Sequence, residues 1–139
     1  MGKQVTAEVV VSDRHLSGRG RTTVLRLSWQ TSDPLAVRLL LTATPDHPSL
    51  PRGSWVILRD LLRYGSEEPA GDGQVRIRPD GSRDRVRLDL AGDWGGYWVT
   101  MPREVLGNFL DATEALVPTG SERSEAEVDA LIARLLVEG

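Results

Sequence analysis

The chain has 139 residues, a net charge of −3 and no cysteine. This length predicts a single domain, spanning residues 1–139, that folds without a metal or disulfide, and the lack of cysteine excludes zinc fingers, cysteine nucleophiles and disulfide scaffolds. The longest apolar runs are far shorter than the ~20 residues that span a bilayer, and the N-terminal residues are polar, so we expect a cytoplasmic protein.

Apolar residues alternate with more polar ones in the first part of the chain, which predicts three strands. The alternation covers residues 5–11, 23–29 and 37–43. A period of two places each apolar set on one face of a sheet. The three prolines within residues 44–53 cannot join a strand ladder, so this stretch is predicted to be a loop.

The middle of the chain reads as a strand, a short helical turn and three further strands. The fourth strand is predicted at residues 54–58, and the helical turn at residues 60–64. Gly65 is expected to end that turn in the left-handed conformation that glycine accepts most readily. Three more alternating segments follow, at residues 74–78, 85–90 and 97–101. Consecutive meanders of this kind favour curved antiparallel sheets.

Helical patterns predominate at the end of the chain. Pro102 suits the start of a helix whose apolar face extends to Thr113, and Ser124 with Glu127 has the spacing of a capping box before a second apolar stripe. Strands followed by helices predict an α+β fold with about seven antiparallel strands and two C-terminal helices, the second beginning near Ser124. We expect that second stripe, at residues 128–136, to need burial, which favours a homo-oligomer.

No catalytic constellation is visible in the sequence. The two histidines, His15 and His47, lie far apart in different loops, whereas metal sites need clustered ligands. The pair Gly71 and Gly73 precedes a strand rather than a helix, so it predicts a turn and not a phosphate cradle. We therefore expect no enzymatic activity, no cofactor and no bound metal.

Arginines on two predicted strands form the best candidate binding surface. Arg76 and Arg78 share one face of the first strand, and Arg85 and Arg87 share one face of the next. Trp98 is close in sequence, and aromatic rings beside basic grooves are typical of single-stranded nucleic-acid binders. Interleaved aspartates and the negative net charge argue against nucleic-acid binding, which stays an alternative hypothesis. A protein partner is the other interpretation.

Four segments, in this order, resemble blocks of one known family. They are Ser32-Asp33-Pro34-Leu35-Ala36-Val37, a tryptophan strand that continues as Arg59-Asp60-Leu61-Leu62 and ends at Gly65, the stretch from Gly71-Asp72-Gly73 to Pro79, and the stretch from Val99 to Glu122, which includes Val117-Pro118-Thr119-Gly120. The chain resembles the SsgA-like family of actinobacterial sporulation and cell-division proteins, and the match extends over nearly its whole length.

The resemblance implies a fold and a role. It implies curved sheets similar to the Whirly-type single-stranded nucleic-acid-binding fold, and a homotrimer. It also implies a non-catalytic scaffold in sporulation septation, located at the septum, whose partner is the tubulin-like GTPase FtsZ or a membrane adaptor of it; the SsgB type of the family is associated with localising FtsZ. Arginines can meet an acidic partner through bidentate carboxylate contacts. This assigns partner binding to Arg76, Arg78, Arg85 and Arg87.

Overall fold

Two meanders of four strands, each followed by a helix, make up the described part of the chain. The computed structural model describes residues 2–13, 21–42, 53–81, 84–92 and 95–120. The first unit consists of β1 Gln4–Asp13, β2 Arg21–Gln30, β3 Asp33–Thr42, β4 Gly53–Leu58 and α1 Arg59–Gly65. The second consists of β5 Ala70–Asp72, β6 Val75–Pro79, β7 Arg85–Gly92, β8 Gly95–Pro102 and α2 Arg103–Leu116.

The eight strands form one hydrogen-bonded array in the order β4-β3-β2-β1-β8-β7-β6-β5. Every pairing is antiparallel, and within the described residues the strand pairing between the two halves consists of Ser12 of β1 opposite Thr100 of β8. Because this junction is so short, the array behaves as two four-stranded sheets that share a seam. The alternating residues turn their apolar side chains to one common inner face.

The inner faces of both halves build the core, together with α1 and α2. Leucine, valine and isoleucine side chains from seven strands are buried there, and the helices add Leu62, Leu106, Phe109 and Leu110. Trp29 and Trp55 are also buried. The indole N–H of Trp29 donates to the Pro34 carbonyl at 3.0 Å, and that of Trp55 donates to the Ala91 carbonyl at 2.8 Å. Trp55 therefore links β4 to β7.

The predicted α+β class and all seven predicted strands are confirmed. β5 is an eighth strand that the sequence did not indicate, because its three residues, Ala70, Gly71 and Asp72, carry no alternating apolar pattern. The first C-terminal helix is confirmed as α2. The predicted helix near Ser124, both histidines and Trp94 lie outside the described residues. The likeness to the Whirly-type fold stays a prediction.

The prediction that Gly65 adopts the left-handed conformation was wrong. Gly65 is the last residue of α1, and the glycines with positive φ among the described residues are Gly73 and Gly120. The reason for a glycine at position 65 is instead its close contact with β6. A Cβ added there would lie 2.1 Å from the Cγ2 atom of Ile77, far inside the normal 3.5–4.0 Å contact distance of two carbon atoms. Glycine lets α1 lie directly on the sheet.

Candidate partner-binding face

The four arginines proposed for partner binding lie on the outer face of β6 and β7. In the pairing of these strands, Arg78 lies opposite Arg87 and Arg76 lies opposite Asp89. Their neighbours in sequence, including Val75, Ile77, Val86 and Leu88, point to the inner face and are buried. The sheet thus brings together the residues that the period of two had placed on one side. We call the outer surface carrying Arg76, Arg78, Arg85 and Arg87 the arginine face.

Two of the four arginines are already engaged within the protein. The Arg85 guanidinium donates to the Thr100 hydroxyl at 3.1 and 3.2 Å and to the Thr100 carbonyl at 3.1 Å. The Arg87 guanidinium donates to the Asp89 carboxylate at 2.8 and 3.1 Å and lies 4.2 Å from the centre of the Trp98 ring. Both side chains are only partly exposed. Their main role is to hold β7 against β8.

Arg76 and Arg78 have a different environment. Both side chains are exposed, and neither makes an ion pair with another residue of the described ranges. Both guanidinium groups are therefore available to a partner. The Arg87 charge is instead paired with Asp89, and the Arg85 guanidinium keeps its charge but is held by hydrogen bonds to Thr100. The sequence signals only part of this distinction, because alternation places Asp89 beside Arg87 on the same strand face, while the contact of Arg85 with Thr100 depends on how β7 pairs with β8.

The consecutive aromatics of β8 point to opposite faces, as predicted for a strand. Tyr97 is buried in the core, and Trp98 lies partly exposed on the arginine face. The Arg87 guanidinium covers one face of the Trp98 ring, and a cation over an indole is the most favourable arrangement of this kind. The ring is thus a component of the face and is already partly covered.

Arg59 is buried, which its position at the start of a helix did not predict. Its side chain is 2% exposed, although it belongs to a residue type that is almost never fully buried unless paired. One guanidinium nitrogen donates to the Val117 carbonyl at 2.8 Å and to the Thr113 hydroxyl at 3.4 Å, and the group lies 5.5 Å from the centre of the Trp29 ring. The signal in the sequence that could have drawn attention to Arg59 is its place in the Arg59-Asp60-Leu61-Leu62 block.

The contacts of Arg59 explain why the sequence blocks occur together. Trp29, which the Arg59 guanidinium faces, also donates its indole N–H to Pro34 of the first block. Arg59 belongs to the second block and Val117 to the fourth. Gly65, the end of the second block, packs on Ile77 of the third. The four blocks are therefore joined through the interior, and these residues serve the fold rather than a surface site.

Both helices begin with an arginine that reaches the end of the other helix. Arg59 begins α1 and bonds to Val117 just beyond α2, while Arg103 begins α2 and pairs with Glu67 just beyond α1. Arg63 of α1 adds an ion pair with Asp111 of α2 at 2.9 Å. The outer pairs are exposed, so each contributes at most about 1 kcal/mol. The buried hydrogen bond from Arg59 to Val117 is therefore the main polar contact that holds the two helices together.

One tyrosine near this junction has a perturbed acidity. The exposed Tyr64 hydroxyl donates to the Glu68 carboxylate at 2.7 Å. This hydrogen bond, together with the negative charge of Glu68, raises the pKa of Tyr64 above its ordinary value.

Among the described residues, no cluster of three histidine, aspartate or glutamate side chains could hold a metal ion. Across those same ranges, no helix has the length and apolar character needed to cross a membrane.

The fold and the face define a class of protein. It is an α+β protein in which eight antiparallel strands pack with two helices. Its arginine face exposes Arg76 and Arg78, neither of which makes an ion pair within the described residues. The family model described as "Streptomyces sporulation and cell division protein, SsgA" matches residues 23–122. The chain therefore belongs to the SsgA family, and the predicted resemblance is confirmed.

Relatives of known name agree with this assignment. The chain is 33% identical to the sporulation-specific cell division protein SsgB of Kineococcus radiotolerans, over 96% of this chain and 80% of the relative. It is 34% identical to the protein of the same name from Salinispora tropica, over 96% of this chain and 95% of the relative.

Two solved structures are similar over most of their length. One is an SsgA-like sporulation-specific cell division protein from Thermobifida fusca, with a TM-score of 0.78, 28% identity and coverage of 96% of each chain. The other is SsgB, whose mutations are described as correlating with longitudinal cell division during sporulation of Streptomyces coelicolor. It has a TM-score of 0.76 and 30% identity, and covers 88% of this chain and 94% of its own.

Proposed function

We propose that this protein is a non-catalytic regulator of cell division during sporulation, and that it acts as a scaffold which helps to localise FtsZ for septation. The observation that carries the proposal is the family match over residues 23–122, together with relatives that are named sporulation-specific cell division proteins. These names support the role in division and sporulation. The FtsZ partner and the location at the septum are the finer part of the proposal.

The arginine face supports a protein partner of acidic character. Arg76 and Arg78 are exposed and unpaired within the described residues, so they can approach carboxylates of a partner without first breaking an internal contact. Charges of this kind accelerate association and select partners more than they add affinity. Arg85 and Arg87 would act indirectly, by holding the strands that carry the contact.

The proposed assembly state is a homotrimer, as the family resemblance implied. Oligomers place the same surface several times on one particle, which strengthens weak contacts with a polymerising partner through effective concentration. Multi-angle light scattering of the full chain at micromolar concentration tests the assembly. A mass of three chains supports it, and a monomer contradicts it.

A direct binding measurement tests the partner. We expect immobilised full-length protein to bind purified actinobacterial FtsZ, and the double variant Arg76→Glu with Arg78→Glu to bind about tenfold more weakly. The matched control reverses Arg26 and Arg38, which are exposed on the outer face of the other half-sheet. Equal loss in both variants would indicate a general charge effect and contradict the assigned face. No binding by the wild-type chain would refute FtsZ as the direct partner.

The cellular role is testable separately. In Streptomyces coelicolor lacking SsgB, expression of this chain fused to a fluorescent protein should place fluorescence at sporulation septa. Diffuse fluorescence throughout sporulation would contradict the septal location.

The alternative function, binding of single-stranded nucleic acid, has less support. Such proteins stack bases on accessible aromatic rings. On the arginine face the candidate ring is Trp98, and the Arg87 guanidinium already lies over it at 4.2 Å. A base would have to displace that cation.

A further inference from the structure

A groove lies beside Arg76 and Arg78 on the arginine face. It has a volume of about 720 Å³ and runs over the outer side of β5 and β6, with Gly71 and Gly73 among its lining residues and Arg76 and Arg78 along it. Gly71 lies directly opposite Arg76 in the strand pairing. Neither glycine adds a side chain to the floor. The Arg76 Cγ lies 2.8 Å from where a Cβ of Gly71 would be, whereas the space at Gly73 is open, so a ligand can approach the backbone there.

Sterics and backbone conformation keep side chains off these two positions. A Cβ at position 71 would lie 2.7 Å from the Val75 carbonyl oxygen and 2.8 Å from the Arg76 Cα, both backbone atoms that cannot move aside. Gly73 has a φ of 60°, the left-handed region that favours glycine, and forms the turn between β5 and β6. Both glycines are thus required locally, and the open groove follows from that requirement.

The spacing of the charges suits one kind of ligand. Arg76 and Arg78 are two residues apart on a strand, so their side chains leave the sheet about 6.6–6.8 Å apart. Carboxylates on alternate residues of an extended peptide have the same spacing. An extended acidic segment can therefore meet both guanidinium groups at once, each through paired hydrogen bonds.

A second groove continues this surface across β7 toward β8. Its volume is about 440 Å³, and it shares Arg76, Arg87 and Asp89 with the first. The Arg87–Asp89 pair at its centre neutralises itself, and Trp98 supplies an apolar contact at its far end. The net positive charge of the combined surface is thus concentrated at Arg76 and Arg78.

We propose that this groove binds an extended acidic segment of a partner protein, with carboxylates at alternate positions that pair with Arg76 and Arg78. The proposal rests on the proposed function, because such a segment would belong to the division partner. A nucleic acid fits less well, since base stacking needs the ring face of Trp98 that Arg87 covers. Within the described residues, β5 is also the last strand of the array, and such an edge can form backbone hydrogen bonds to an added strand.

The test uses a fluorescent synthetic peptide of about eight residues, roughly 26 Å when extended, in which glutamate alternates with threonine. A second peptide of the same composition has its glutamates consecutive. Fluorescence anisotropy with the full-length chain should show the alternating peptide binding several-fold more tightly. At about 0.1 M salt, where the Debye length is about 10 Å, the binding should be measurable, and it should weaken as salt rises.

Charge-reversed variants test whether Arg76 and Arg78 bind the peptide. The double variant Arg76→Glu with Arg78→Glu should bind the alternating peptide about tenfold more weakly, which corresponds to about 1.4 kcal/mol. The control variant Arg26→Glu with Arg38→Glu carries the same change of charge on the other half-sheet and should bind within about twofold of the wild type. Circular dichroism of both variants should match the wild type, because all four side chains are exposed.

Four results would overturn the inference, and the last of them separates it from the proposed function. Equal affinity for both peptides would contradict the spacing argument, and equal loss in both variants would contradict the site. A single-stranded oligonucleotide should bind more weakly than the peptide. If it binds more tightly, and the double variant of Arg76 and Arg78 loses that binding, the groove belongs to nucleic acid. Binding of FtsZ without peptide binding would refute the acidic segment alone, whereas peptide binding without FtsZ binding would refute only that partner.

Discussion

The contact between Gly65 and Ile77 allows a sharp test of how α1 is fixed to the sheet. The perturbation is Gly65→Ala, which adds one methyl group at the end of α1. That methyl carbon would lie 2.1 Å from the Cγ2 atom of Ile77 and 3.0 Å from its Cβ. Normal carbon contacts are 3.5–4.0 Å, so α1 and β6 would have to separate by about 1.5 Å.

The expected magnitude follows from two opposing effects. Overpacking of a tight core contact costs about 1–3 kcal/mol of unfolding free energy, and replacing glycine by alanine in a helix returns up to about 1 kcal/mol. We expect a net loss of about 2 kcal/mol. Gly107 of α2 is the matched control, because a Cβ there meets no atom within 4 Å. Gly107→Ala should therefore raise stability by up to about 1 kcal/mol.

A double-mutant cycle identifies the clash as the cause. Ile77→Ala alone should cost about 2–5 kcal/mol, because it leaves a cavity in the core. In the double variant the alanine at position 65 fills part of that cavity. The loss of unfolding free energy in the double variant should therefore be about 1–2 kcal/mol smaller than the sum of the losses in the two single variants. Urea unfolding, followed by the fluorescence of the four tryptophans, measures each free energy. Additive losses within about 0.5 kcal/mol, or a neutral Gly65→Ala, would refute the steric explanation.

Two further predictions concern the helix junction. Arg59→Ala should lower the free energy of unfolding by about 3 kcal/mol, because it removes a charged hydrogen bond to Val117 and the cation over Trp29 from a buried site. Chemical denaturation measures this loss. A loss below about 1 kcal/mol would contradict the role of Arg59 in holding α1 and α2 together. In an alkaline absorbance titration, Tyr64 should ionise above the ordinary tyrosine range, and Glu68→Gln should lower its pKa. Because the folded pKa is raised, any stability from this contact is present at neutral pH and is lost as the pH rises through the tyrosine titration. An unchanged titration in Glu68→Gln would refute the pairing.

The arginine face shows how far the sequence could be taken. Alternation alone placed Arg76 and Arg78 on one side of a strand, and the pairing of β6 with β7 confirmed a common surface. Which arginines remain free could be predicted only in part, because Thr100 engages Arg85, and Asp89 engages Arg87. The Thr100 contact was identifiable only once the register of β7 and β8 was known, whereas Asp89 follows Arg87 on the same face of one strand, where alternation already places it. The groove likewise depends on β5, whose three residues carry no periodic signal.

The sequence by itself determined the local elements and the family. A period of two is imposed on any strand with one buried face, so seven strands could be read from the apolar pattern, and the helix from its period of 3.6. Only the tertiary structure decided the roles of Arg59 and Gly65. Arg59 looks like an ordinary helical surface residue in sequence, and it is buried because Trp29 and the end of α2 converge on it. Gly65 reads as a helix terminator, yet its lack of a side chain serves the approach to Ile77. Both roles arise from atoms that are distant along the chain, and local propensity carries no information about such contacts.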